Sequence, residues 1–236
     1  MIEIKGIKKK FGKLQVLKGV NATIQKGKIT AIIGHNGSGK TTLVKHILGL
    51  SFPDAGSIEI DGEKIDRKWD YRRQIGYMSQ TTHFPGNLKV KELINMIKDI
   101  RGQIGSESEL IKIFGLDPEM EKKLDHLSGG TKQRVNGTLA FMFDSQILIC
   151  DEPTVGLDPI SLVQLKKILV EAKQKGKTIL LITHILSLVE EICDEIIFLQ
   201  EGRTYFQGSH HELMRSQNEV SLERAIAKMM MQHNNE

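Results

Sequence analysis

A chain of 236 residues with 33 Lys and Arg against 29 Asp and Glu carries a formal net charge of +4, too mild a surplus to mark a nucleic-acid binder. The length suffices for one domain with a large core. No apolar run approaches the ~18 residues needed to cross a bilayer, and Met1-Ile2-Glu3-Ile4-Lys5 lacks the apolar core of a signal peptide, so the expectation is a cytoplasmic protein whose membrane part, if any, is another chain.

In chain order, residues 1–28 read as strand, turn, strand, with Ile2 and Ile4 alternating, Gly12 at the turn, and Val20, Ala22 and Ile24 following. The Lys8-Lys9-Lys10 run is expected at a solvated edge. Ile29–Ile33 is a short apolar strand, and Leu43, Val44, Ile47 and Leu48 recur at helical spacing after it. Pro53–Gly56 is a turn, and Ser57–Ile60 with Asp61-Gly62 signals a hairpin. Ile75–Met78 reads as a further strand, and these strands are expected to form an antiparallel lobe beside the core. From 81 to 137 the period becomes helical, with Val90, Leu93, Ile94 and Ile97 on one face, a loop over 102–108, and a second stretch at Leu110–Phe114 stopped by Gly115. Ile147–Cys150 is wholly apolar, as a strand buried on both faces in a parallel sheet is, and Thr178–His184 reads as the next buried strand. A helix lies between them, over 162–173, and a hairpin around Glu201-Gly202 spans 195–208. The tail from Ser209 carries one or two helices. Cys150 and Cys193, in apolar surroundings, are expected to be buried free thiols of a reducing compartment.

Between the strand at 29–33 and its helix lies Gly34-His35-Asn36-Gly37-Ser38-Gly39-Lys40-Thr41, of the form G-x-x-x-x-G-K-[ST]. Glycines let backbone N–H groups curl around phosphate oxygens, and a helix N-terminus adds partial positive charge. Gly34, Asn36, Gly37, Ser38, Gly39, Lys40, Thr41 and Thr42 are the expected nucleotide contacts, with Lys40 on the β- and γ-phosphates and Thr41 on Mg²⁺. Asp151-Glu152 ends an apolar strand, where two carboxylates are costly without a cation. Asp151 is expected to serve Mg²⁺, and Glu152 to orient or deprotonate the attacking water.

Leu127-Ser128-Gly129-Gly130-Thr131-Lys132-Gln133-Arg134, upstream of that strand, resembles the signature motif of ATP-binding-cassette (ABC) ATPases. The resemblance covers essentially the whole chain. Gln80 stands at the place of the family's Q-loop glutamine, Gly156-Leu157-Asp158 at its D-loop, and His184 at its switch histidine. Phe11 stands where the family usually has a tyrosine stacking on adenine; a core role for it is also open. Asp158 would both cap the helix that starts at Pro159 and lie at an interface. The implied fold is α/β, a P-loop NTPase with a RecA-like parallel sheet core, an antiparallel β subdomain and an α-helical signature subdomain. Residues 1–80 and 138–208 would make the nucleotide core with its β lobe, 81–137 the helical lobe and 209–236 the tail. Implied cofactors are ATP and Mg²⁺, with Gln80 contributing to the metal and to catalysis alongside Glu152, His184 and Lys40.

The resemblance also implies partners. Two copies pair head to tail with ATP between one copy's phosphate loop and the other's Ser128-Gly129-Gly130, and hydrolysis reopens the dimer. An integral membrane permease subunit would dock near residues 80–95, with His83, Phe84 and Leu88 as contacts, holding the protein at the inner face of the membrane. No nucleic acid and no direct cargo contact are expected. Asp151–Pro159 and Ser221–Glu223 are similar to the branch serving two-subunit exporters. Phe84–Leu93 and Gly130–Asn136 are similar to the ATPase subunit for maturation of nitrous oxide reductase, a copper enzyme. Thr138-Leu139-Ala140 departs from the family's Ala-Arg-Ala, which puts local helix packing in question. Met229-Met230-Met231 suits copper, yet Leu222, Ala225, Ile226, Met229 and Met230 fit one apolar helix face, so packing is expected. The competing readings are a cassette ATPase that drives a conformational change without transport, and a nucleic-acid ATPase of the same superfamily; for the latter, long insertions and zinc cysteines are missing.

Overall fold

The computed structural model describes residues 1–66 and 69–233, excluding the side chain of His233. In chain order the elements are β1 (Ile2–Phe11), β2 (Leu14–Ile24), β3 (Ile29–Ile33), α1 (Lys40–Ile47), β4 (Ala55–Ile60), β5 (Glu63–Lys64), β6 (Ile75–Met78), α2 (Val90–Arg101), α3 (Glu107–Ile113), α4 (Gly129–Phe141), β7 (Ile147–Asp151), α5 (Pro159–Gln174), β8 (Thr178–Ile182), α6 (Leu186–Ile192), β9 (Glu195–Gln200), β10 (Arg203–Gly208), α7 (His210–Gln217) and α8 (Leu222–His233). They fall into two compact units, Met1–Trp69 with Leu180–Glu236, and Asp70–Ile179.

The first unit contains an antiparallel sheet in the order β2-β1-β4-β5. Ile2 and Ile4 face its core, but so does Ile7, because the β1–β2 register shifts between Ile4 and Ile7 and a bulge exchanges the two faces. Gly6, at φ 62°, lies within that shift. The Lys8–Lys10 run is not on an edge strand: β1 lies between β2 and β4, with Lys8 paired to both, while Lys9 and Lys10 register with β2 alone and Lys9 reaches Asp54 at 2.9 Å. Side chains alternate between the two faces: Lys8 and Lys10 are exposed, and the half-buried Lys9 is satisfied by the Asp54 carboxylate and by the Phe52 carbonyl at 2.7 Å.

The same unit carries strands in the order β10-β9-β3-β8, with β3 parallel to β9 and β10 antiparallel to it. Every residue of β3 is buried, Thr30 included, as suits a strand covered on both faces. On α1, the buried His46 donates from Nδ1 to the Ser51 carbonyl at 2.8 Å, and burial holds the imidazole below its ordinary pKa. The tail forms two helices, and α8 buries Leu222, Ala225, Ile226 and Met229 while Met231 is exposed. Met229 therefore packs as expected, and Met230 is half-buried.

The second unit carries β8-β7-β6, with β6 parallel to β7 from Ile75 opposite Ile147 to Met78 opposite Cys150. This corrects the expectation that Ile75–Met78 belongs with the antiparallel lobe. A Cβ on Gly76 would lie 2.3 Å from the Ala140 carbonyl, so the strand is pressed under α4 and buried. The helices α2, α3 and α4 enclose a core of Val90, Leu93, Ile94, Leu110, Phe114 and Val135 with their neighbours. The loop expected over 102–108 ends earlier, because α3 begins at Glu107. Thr138 leaves α4 intact: its buried hydroxyl donates to the Arg134 carbonyl one turn back at 3.1 Å. Both cysteines are buried free thiols, and burial pushes Cys150 up to about 12. Among the described residues no helix is long and apolar enough to cross a membrane.

Candidate functional site

The first unit supplies the phosphate loop. Gly39, in the left-handed region at φ 105°, ends the loop where α1 begins, and Gly37 adopts φ 82°. At Gly34 a Cβ would come within 2.0 Å of the Leu199 carbonyl on β9, so the loop is pressed against that strand and only glycine fits. Lys40 is buried and turns back along the loop, its Nζ donating to the carbonyls of Gly34 at 2.7 Å and His35 at 3.0 Å. These two carbonyls fix the ammonium along the glycine-rich loop. The buried Ser38 hydroxyl has no protein hydrogen-bond partner, a vacant polar valence inside the cradle. Asn36 and Thr41 are exposed and Thr42 is half-buried. These residues fit a polyphosphate.

Phe11 and His184 belong to the same unit. Phe11 ends β1 and is 52% exposed, so the core alternative is excluded, and Lys9 Nζ lies 5.5 Å from its ring centroid. His184 is exposed two residues beyond β8.

The second unit supplies the carboxylates. Asp151 ends β7 and is 2% exposed; Glu152, the next residue, is 8% exposed with φ 48°. A non-glycine residue in the left-handed region is strained and persists where its surroundings over-determine it. Tyr77, on the neighbouring strand, is pushed up to about 12 by its burial and by the charge of Asp151. Gln80, two residues beyond β6, is exposed.

The signature residues open α4. Ser128 is its N-cap, its Oγ accepting from the Thr131 amide at 3.2 Å and pairing with Thr131 Oγ1 at 2.9 Å. Gly129 and Gly130 form the first turn. A Cβ on Gly129 would meet nothing within 4 Å, whereas one on Gly130 would lie 2.4 Å from the Gly156 carbonyl. Asp158 is the expected N-cap of α5: it accepts from the Ser161 amide at 2.9 Å and hydroxyl at 2.7 Å, and these bonds hold its carboxyl below the usual range. Of the residues expected to meet a membrane partner, Phe84 and Leu88 pack partly into the helical core and His83 is exposed.

Sequence reasoning gave no role to Gln133 and Asn136. Both are buried on α4, and both bond to backbone next to site residues: Gln133 Nε2 to the Pro153 carbonyl at 3.2 Å, Asn136 Nδ2 to the Ser79 carbonyl at 2.7 Å. In the mixed polar run Thr131–Thr138 nothing marks these two side chains as the buried ones. Among the described residues no group of three or more His, Cys, Asp and Glu side chains could hold a metal ion by itself.

Comparison with known proteins is consistent with this architecture. The family profile described as ABC transporter matches residues 17–155. The Nod factor export ATP-binding protein I of Burkholderia lata is 32% identical over 222 residues, 92% of this chain and 73% of that protein. The L-cystine import ATP-binding protein TcyN of Bacillus subtilis is 33% identical, over 91% of this chain and 88% of its own. A dimeric ATP-binding cassette solved in a post-hydrolysis state bound to ADP and Pi superposes with a TM-score of 0.80 at 28% identity, covering 89% of this chain and 98% of that one.

Proposed function

The chain belongs to the ABC transporter family and is an ATPase, and from that membership we propose that it powers a transporter whose membrane-spanning part is a separate permease chain. In this reading Phe11 stacks on adenine, and the loop from Gly34 to Thr42, with Lys40, holds the phosphates. Thr41, Gln80 and Asp151 are the residues that would hold Mg²⁺, which when bound neutralises charge on the β- and γ-phosphate oxygens. Glu152 orients the attacking water and takes its proton as the bond from the γ-phosphorus to the bridging oxygen breaks, leaving ADP and phosphate. His184 contacts the γ-phosphate. Ser128, Gly129 and Gly130 act on ATP held by a second copy, and Asp158 lies at that head-to-tail interface. Binding closes the pair and hydrolysis opens it, and the permease transmits that motion while it holds the protein at the cytoplasmic face of the membrane.

The observation that carries the reading is the buried Lys40, fixed on the Gly34 and His35 carbonyls within a loop where a Cβ at Gly34 cannot fit. The test is Glu152→Gln, an uncharged amide of the same shape. It abolishes steady ATP turnover and lets an ATP-dependent dimer accumulate on gel filtration; turnover at the parent rate would overturn the assigned role. We further propose the export direction, supported by Asp151–Pro159 and Ser221–Glu223, and, within it, service to copper-enzyme maturation, supported by Phe84–Leu93 and Gly130–Asn136. Aligned relatives include proteins named for export and for import, so the permease that co-purifies from membranes decides: one belonging to another transport class overturns both assignments and leaves the ATPase untouched.

A further inference from the structure

The two buried amides of α4 form a continuous bridge. Asn136 donates through Nδ2 to the Ser79 carbonyl at 2.7 Å and to Gln133 Oε1 at 3.3 Å; Gln133 in turn donates through Nε2 to the Pro153 carbonyl at 3.2 Å. Both side chains are almost fully enclosed, at 5% and 3% exposure. Asn136 directs its donor at two acceptors, Gln133 uses both ends of its amide, and this fixes which way each faces. A buried network of this kind permits one arrangement, because breaking any link leaves a desolvated polar atom without a partner.

The ends of the bridge are adjacent to chemistry. Ser79 precedes Gln80 and Pro153 follows Glu152. The backbone at Glu152 is in the left-handed region at φ 48°, a conformation that needs outside support. Gln133 supplies part of it by holding the next carbonyl, and the Val155 amide donating to the Glu152 carbonyl at 3.3 Å supplies another. At the other end, Ser79 is held by its own hydroxyl on the Thr81 carbonyl at 2.9 Å and by Asn136. The helix that carries Ser128 and Gly129 at its start therefore grips, one to two turns further on, the backbone beside both Gln80 and Glu152.

We propose that Gln133 and Asn136 are positioning residues for hydrolysis: they lock Gln80 and Glu152 to the signature helix so that the three are set as one piece. This rests on the reading of Gln80 and Glu152 as ATP-site residues. Movement of α4 then reaches the water-activating carboxylate through two amide side chains, without requiring the intervening loops to be stiff.

The test uses Asn136→Ala and Gln133→Ala, singly and together, with Leu139→Ala as a control that removes packing from the same helix. Steady ATP turnover and fluorescent-nucleotide affinity are measured well below the melting temperature. Asn136→Ala lowers kcat about tenfold, the equivalent of about 1.4 kcal/mol of barrier, with nucleotide affinity unchanged. The double variant is no slower than the slower single variant, because either change breaks the same bridge. Leu139→Ala, at matched or greater loss of thermal stability, keeps its kcat. Losses in the two single variants that multiply, a fall in affinity in place of kcat, or an equal fall in Leu139→Ala each overturns the proposal. Glu152→Gln is run in parallel: if it still turns over ATP, the site reading fails; if it is dead while Asn136→Ala is unimpaired, only the bridge fails.

Discussion

Adding one methyl group at each of the two signature glycines separates what the fold requires of them from what ATP requires. At Gly130 the new Cβ would lie 2.4 Å from the Gly156 carbonyl, whereas ordinary contact begins at about 3.4 Å, so the overlap is about 1 Å. The carbonyl has little room to yield. Gly156 sits at φ 77°, and the segment around it is tied by amides of Val155 and Leu157 to the carbonyls of Glu152 and Thr154. Overpacking of this kind costs about 1–3 kcal/mol. Replacing glycine by alanine in a helix returns at most about 1 kcal/mol, and less in a first turn. Gly130→Ala is therefore destabilised by about 1–2 kcal/mol on balance. Gly129→Ala meets nothing within 4 Å and is neutral or slightly stabilised. Urea unfolding of the nucleotide-free chain measures both. Equal stability of the two variants would mean that the start of α4 does not press on the loop at Gly156, and the reasoning would fail. Turnover gives the second reading: Gly129→Ala, with its fold intact, loses ATPase activity because the contact it blocks lies outside its own chain. Full activity there would count against the head-to-tail assignment.

Lys40→Ala removes the loop's fixed charge and weakens ATP binding at least about tenfold by equilibrium dialysis; unchanged affinity would refute the cradle. Phe11→Ala lowers affinity for ATP by about 1–3 kcal/mol, the worth of one base stacked on an aromatic ring, and leaves tripolyphosphate binding alone, while Phe11→Tyr behaves as the parent. Equal losses for both ligands would move Phe11 away from the base. In pH titrations of stability, the neutral His46 imidazole is favoured by folding, so its contribution is whole above pH 6.5 and is lost as the pH falls through its lowered folded value. His46→Gln flattens that acid limb, and an unaltered limb would place the titration elsewhere. Cys150, raised from 9.0 to about 12, contributes fully below pH 9 and loses that contribution as the pH rises toward 12. Its thiol resists alkylation at pH 8 until denaturant is added; rapid labelling of the native protein would contradict its burial.

The phosphate loop, the Asp151-Glu152 strand end and the signature were legible because each is a local pattern whose chemistry is written in residue type and spacing. The hairpin at Asp61-Gly62 and the end of α3 before Gly115 were legible for the same reason, since left-handed turns select glycine. Pairing was less so. Ile75–Met78 reads as a strand from its composition, but nothing within four residues states that its neighbour is Ile147–Asp151, 72 positions on, rather than the hairpin before it. Lys8–Lys10 suggested an edge because charge is usual there, whereas the inner strand accepts them because Lys8 and Lys10 reach solvent and Lys9 finds Asp54 and the Phe52 carbonyl. Phe11 could not be placed from alternation, because the bulge before it resets the phase. The Gln133–Asn136 bridge was hidden because its acceptors are backbone carbonyls, which carry no sequence signal at all.

The backbone at Glu152 has an evolutionary corollary. A glutamate held at φ 48° costs about 1–2 kcal/mol relative to a relaxed residue, and glycine or asparagine would relieve most of it. On the proposed role of Glu152, selection for turnover opposes that drift. On that same proposed role, a duplicated copy freed from hydrolysis would gain stability by taking glycine or asparagine at position 152.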